Sequence, residues 1–104
     1  FAPDIGAIIA FIKASTGREP QLIIGKPYSG IVKDALMVTG LEPDDLAMCG
    51  DRLYTDIATG VNFGMTSILV MSGETTWEDR AVSETKPTLT FDRLASMIPY
   101  LEKI

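Results

Sequence analysis

At 104 residues the chain is one domain at most, or part of one, and its net charge of −5 has no basic run to offset it. Nucleic acid and anionic membrane surfaces are bound by clustered Lys and Arg, so neither is expected as a partner. Histidine is absent, which removes Ser-His-Asp and Cys-His chemistry and imidazole zinc sites, and leaves carboxylates, Lys, Ser, Thr or a bound metal to carry any catalysis.

Along the chain, apolar runs alternate with helix-period segments. Ile5, Ile8, Ile9 and Ile12 recur at helical spacing, with Gly17 as a stop signal. Residues 21–24 read as a short strand running into Gly25, Lys26 and Pro27. Residues 29–39 return to helix, with Val32, Ala35, Leu36 and Thr39 on one side, and Gly40 closes it. Glu42, Pro43 and Asp44 are turn chemistry. Residues 46–49 form the next expected strand, and residues 55–63 the next helix, stopped by Gly64. The continuous apolar run 66–71 suits a strand with both faces covered. Thr76 can cap a helix from Trp77, with Asp79 completing a partial capping box. Residues 88–90 read as an edge strand. The last helix aligns Phe91, Leu94, Ala95, Ile98 and Leu101, and Pro99 within it predicts a kink or break.

This alternation argues an α/β protein with a parallel sheet. Ligands in such sheets gather beyond the carboxyl ends of the strands. Gly25-Lys26-Pro27, Gly50-Asp51 and Ser72-Gly73-Glu74 all fall at such ends, so three loops are expected on one rim. No apolar run approaches the ~20 residues of a bilayer span, and no charged-then-apolar leader precedes a cleavage site. Cys49 stands alone and cannot form an internal disulfide, which suits a reducing cytosol. A cytoplasmic location follows as an expectation. Within its apolar run Cys49 reads as a small buried thiol.

Asp51 and Asp56 follow the strand at 46–49. Five residues of α-helix separate side chains by roughly 140° around the axis. Both acids can therefore address one ligand only if Asp51 sits on the strand exit and the chain curls before Asp56. Paired carboxylates suit a hard divalent cation, and Mg2+ in particular takes one or two carboxylates plus waters and a substrate phosphate. Taken alone, the pair is read more readily as helix capping. Lys26, held in a stiff Gly-Lys-Pro turn, is by itself a solvated lysine. On the same rim as the two acids it becomes a candidate partner for a phosphoryl oxygen or a carboxylate.

The stretch "GKPYSGIVKDAL", followed by "LEPDDLAMCGDRLYTDIATGVNFGMTSILVMSGETTWED", resembles the carboxyl-terminal half of a haloacid dehalogenase (HAD) superfamily phosphatase. Within it, the likeness is to the subfamily of 4-nitrophenyl phosphatases and the N-acetylglucosamine-operon phosphatase. The resemblance implies a three-layer Rossmann-like parallel sheet, incomplete in this chain. Residues 1–19 would be the end of an inserted cap and its return to the core, and residues 20–104 the carboxyl-terminal half of the core domain. It implies Mg2+-dependent hydrolysis of small-molecule phosphate monoesters through an aspartyl-phosphate. Lys26 would match the lysine that steadies the nucleophilic carboxylate and the phosphoryl group. Asp51 would match the acidic Mg2+ ligand. Asp56 would match the second acidic residue, which orders metal-bound water or holds the lysine.

One departure from the family pattern matters. The nucleophile and its acid–base partner belong to an Asp-x-Asp motif, and no Asp-x-Asp occurs in this sequence. The phosphate-binding Ser or Thr of the second strand has no counterpart either, and Ser72 follows a later strand. The chain is therefore expected to be part of a longer phosphatase, inactive alone, with the amino-terminal half of the same protein as its partner. An unpaired apolar edge at residues 46–49 would also invite homo-oligomerisation. The alternative is a non-catalytic α/β metal- or ligand-binding module. Receiver domains share an acidic pocket and a lysine, but there the acids precede the lysine. A nucleotide-binding Rossmann protein is disfavoured because its glycine fingerprints are missing.

Overall fold

The computed structural model describes residues 4–104. Its centre is a three-stranded, all-parallel sheet in the order β1 (Ala47–Gly50), β2 (Thr66–Val70), β3 (Leu89–Phe91). Cys49 stands opposite Ile68 in the first pair, and Leu69 opposite Thr90 in the second. Between β1 and β2 the chain makes one turn of π-helix (Leu53–Ile57) that runs on into α3 (Ala58–Asn62); α4 (Trp77–Val82) lies between β2 and β3. The parallel α/β architecture expected from the alternation of strands and helices is the one observed.

β2 is the middle strand and carries the core. Its β-branched and aliphatic residues suit a pleated, covered surface, and Ser67, Ile68 and Leu69 are all buried. Leu69 packs with Leu53 and Ile57, and Met71 closes the cluster. Fully burying side chains of this size contributes about 1.5–3 kcal/mol each. α3 approaches the sheet through Gly60, where a Cβ would run into the Ser67 side chain. That close approach is the reason for glycine there. The Ser67 hydroxyl donates to the Ile57 carbonyl at 3.5 Å, giving the buried polar atom a partner.

The punctuation of the remaining helices is local chemistry. α1 (Ile5–Thr16) starts where Asp4 Oδ1 accepts from the Gly6 N–H at 3.0 Å, and α2 (Gly30–Thr39) follows a loop. Gly17 and Gly40 end these helices in the left-handed region, at φ 70° and 67°, which glycine adopts without a Cβ penalty. Thr76 and Asp79 form a complete capping box on α4: the Thr76 hydroxyl oxygen accepts from the Asp79 N–H, and Asp79 Oδ2 accepts from the Thr76 N–H, both at 3.1 Å. Pro99 does break the last helix, into a 3-10 turn (Leu94–Met97) and α5 (Ile98–Leu101), whose first turn it occupies.

Three expectations fail, the smallest being Phe91, which ends β3 rather than joining the last helix. Residues 21–24 are not a strand: Leu22, Ile23 and Ile24 are exposed, and no described strand lies beside them. Backbone groups enter a ladder only when a neighbour supplies the other half, and apolar composition alone does not supply it. Lys26 is therefore reached through an irregular segment rather than from a buried strand. Cys49, expected inside, is exposed. β1 pairs only with β2 among the described residues, and the face carrying Ala47 and Cys49 is uncovered.

Candidate active site

The site begins where β1 ends. Gly50 is the last strand residue, and Asp51 leaves the sheet directly after it. Arg52 stays extended (φ −114°, ψ 124°), and the next turn is wide, with the Ile57 N–H donating to the Arg52 carbonyl five residues back at 3.1 Å. An i→i+5 turn accommodates an extra residue, a feature often found at functional positions. The helix expected over residues 55–63 thus starts earlier and more loosely than its pattern suggested. Asp51 sits on the strand exit and the chain curls before Asp56.

Asp56 is almost fully buried, at 4% exposure. A buried carboxylate needs partners for both oxygens. Oδ2 accepts from the Arg52 N–H at 3.2 Å, and Oδ1 takes the Lys26 ammonium as an ion pair. The carboxylate also lies where a Cβ on residue 50 would be, so Gly50 makes room for it. The Lys26 side chain remains 40% exposed, so its ammonium is tethered to the acid without being sealed from solvent.

Asp51 is held from the other side, by the loop leaving β2. Its carbonyl accepts from the Thr75 hydroxyl at 2.6 Å and the Thr75 N–H at 3.2 Å. Its carboxylate Oδ2 accepts from the Glu74 N–H at 2.8 Å, and the absent Cβ of Gly73 leaves the cradle in which that carboxylate lies. Lys26, Asp51 and Asp56 line one open cleft of about 390 Å³ with Gly25, Arg52 and Thr55, and the start of α1 contributes Asp4 and Ile5. All three sequence-predicted site residues are thus brought to one cleft, with Lys26 and Asp56 in direct contact.

A divalent cation is compatible with this donor set. Among the described residues no three His, Cys, Asp or Glu side chains converge as a ready-made metal cage. Mg2+ does not need one, because it binds through one or two carboxylates and retains waters. Asp51 has the right form for that role: one oxygen is oriented by a backbone N–H, and the other accepts no hydrogen bond from the described residues.

Three further side chains belong to the rim and were not singled out by sequence reasoning. Arg52 Nε donates to Glu74 Oε2 at 2.5 Å, and the Tyr54 hydroxyl lies 3.1 Å from both Glu74 oxygens. The Glu74 carboxylate pushes the Arg52 guanidinium up from its usual value. It also raises the Tyr54 hydroxyl, chiefly through the hydrogen bond between them. The placement of Ser72-Gly73-Glu74 at a strand exit was the available signal, but the pairing itself joins loops about twenty residues apart. Cys49, near Asp56, has its thiol pushed up by partial desolvation and then by that carboxylate. A thiol so shifted keeps its proton and is a poor nucleophile.

The sequence profile of the HAD-hydrolase-like family matches residues 23–97. The chain is 42% identical over 103 residues to an acid sugar phosphatase of Staphylococcus epidermidis, a match covering 99% of this chain and 39% of that protein. It is 43% identical to the acid sugar phosphatase of Staphylococcus aureus over 103 residues, again 39% of the relative. Among solved structures it resembles a 4-nitrophenylphosphatase of Thermotoga maritima, with TM-score 0.85 and 48% identity, covering 94% of this chain and 38% of that one. NagD of E. coli aligns with TM-score 0.77 and 32% identity, over 86% of this chain and 36% of its own. The chain thus spans about 39% of the length of the curated relatives it matches.

Proposed function

This chain belongs to the HAD-hydrolase-like family, and from that premise we propose that the longer protein hydrolyses phosphate monoesters with Mg2+ through an aspartyl-phosphate. On this reading residues 20–104 are the carboxyl-terminal half of the core, and residues 1–19 the return from a cap. The nucleophilic aspartate comes from the amino-terminal half of the same protein, because no Asp-x-Asp occurs here. The single observation that carries the proposal is the Lys26 ammonium paired with buried Asp56 in the same cleft as Asp51.

Each residue has a task that its surroundings support. Asp56 holds Lys26 in place and, with its remaining lone pairs, can orient a metal-bound water. Lys26 offers positive charge to a phosphoryl oxygen and to the attacking carboxylate, two anions that otherwise repel. A preorganised cation of this kind stabilises charge as it develops, at no reorganisation cost. Asp51, with its free oxygen, would hold Mg2+, which when bound supplies Lewis-acid neutralisation of the phosphoryl group. A phosphate ester small enough for the cleft is the substrate class.

The test is hydrolysis of an aryl phosphate by the longer protein in the presence of Mg2+. Asp51→Asn and Lys26→Ala should each lower kcat by at least ~100-fold, as expected on removing an electrostatic stabiliser. Wild-type rates in both variants would reject the assignment. An unmutated longer protein that shows no hydrolysis would favour the second reading, a non-catalytic binding module, which rests on the missing Asp-x-Asp.

A further inference from the structure

We propose that Glu74 is a positioning residue for the metal-binding carboxylate of Asp51, acting through its own main-chain N–H. The inference rests on the assignment of Asp51 as a metal ligand and goes beyond it to the device that orients that ligand. Glu74 touches Asp51 with its backbone: its N–H donates to Oδ2 at 2.8 Å. Its side chain is gripped by two groups of the β1 exit, Arg52 Nε at 2.5 Å and the Tyr54 hydroxyl at 3.1 Å. The next residue, Thr75, closes the same stitch with two bonds to the Asp51 carbonyl.

The loop leaving β2 is therefore clamped at both ends of one residue pair. Arg52 and Tyr54 fix where Glu74 sits, and Glu74 fixes which way the Asp51 carboxylate points. Glu74 is not itself a ligand in this arrangement. The Tyr54 hydroxyl lies 3.1 Å from both its oxygens, sharing one proton between them, and Arg52 Nε donates to Oε2. Gly73 is part of the device, since a Cβ there would occupy the space of the Asp51 carboxylate. The Arg52–Glu74 pair is 44% and 42% exposed. Exposed ion pairs add little to stability, so its contribution to folding and its contribution to metal binding are separable.

Magnesium binding to the full-length protein, followed by calorimetry, tests this. Glu74→Ala should weaken Mg2+ affinity about tenfold, at the low end of the ~10–100-fold cost of removing an outer-shell partner, with the metal-free Tm unchanged. Glu74→Gln keeps acceptor and shape but loses the charge, and should retain most of the affinity. If Glu74→Gln is as impaired as Glu74→Ala, the effect is charge alone and the positioning role is wrong. Wild-type affinity in Glu74→Ala, with Asp51→Asn no longer binding, also overturns it while leaving the metal site intact. Normal binding by Asp51→Asn overturns the site itself. The double variant Arg52→Gln, Tyr54→Phe removes the same grip with Glu74 in place and should reproduce the loss, so a folding failure of Glu74→Ala does not shelter the inference.

Discussion

The two ends of this chain put their apolar residues to opposite use. From β1 to β3 a core is formed, in which Ile57 and Leu69 are fully buried and Ile68 nearly so, with Val61 and Val82 left outside it. In α1 no residue is buried, and Ile5, Ile8, Phe11 and Ile12 all face outward; α2 buries only Val32 and exposes Met37 and Val38 at 78% and 82%. Neither helix packs extensively on the sheet. The radius of gyration, 15.9 Å, exceeds the roughly 13 Å of a compact domain of about 100 residues. Periodicity therefore establishes that a helix has an apolar face. It does not establish that this chain supplies the cover.

The sharpest probe of the contrast is Leu69→Ala, which should cost about 2–5 kcal/mol in urea unfolding of the 104-residue chain, as for a fully packed aliphatic site. A cost below that range would mean that the sheet region is no better packed than the helices. Gly50→Ala comes next. Its Cβ collides with the Asp56 carboxylate and should destabilise by about 1–3 kcal/mol, while uncoupling Lys26 and lowering phosphatase activity of the longer protein.

Thr76→Ala should remove about 1 kcal/mol by deleting the cap of α4. The same cap has a pH signature. Hydrogen bonds from Thr76 hold the Asp79 carboxyl below its ordinary value. The folded state then binds that proton less readily than the unfolded state. The contribution is present above the ordinary carboxylate range and is lost as pH falls through the depressed folded value. The stability difference between wild type and Asp79→Asn should shrink over that window. The smallest effect belongs to Phe11→Ser, within about ±0.5 kcal/mol in the same chain. Sedimentation of the 104-residue chain at micromolar concentration should nevertheless show association that this substitution reduces, and a clean monomer before substitution would count against the apolar surface seeking cover.

What could be read from the sequence was what is decided locally. Gly17, Gly40 and Gly64 all take positive φ where the helical patterns stop, and the Thr76–Asp79 box closes within four residues. Asp51 and the Ser72–Glu74 loop were legible on one rim because both follow real strands, whereas the strand expected before Lys26 is absent, and the resemblance alone grouped Lys26 with the two acids. Residues 21–24 and Cys49 were misread for one physical reason. Strand pairing and face coverage depend on what lies alongside, and an apolar tetrapeptide carries no record of its neighbours. The Glu74 grip on Arg52 and Tyr54 went unread for the same cause, since it spans two loops whose separation in space is set by the sheet.

The wide turn at Leu53–Ile57 has one more consequence. On an ordinary helical wheel, neighbouring residues are offset by about 100°, and a spacing of five would send the second acid away from the first. Here Asp51 lies outside the coil, on the strand exit with an extended Arg52 after it, so the wheel does not apply between the two acids, and removing one residue from the interval should swing the later carboxylate off the lysine. Length in this segment is as constrained as residue identity.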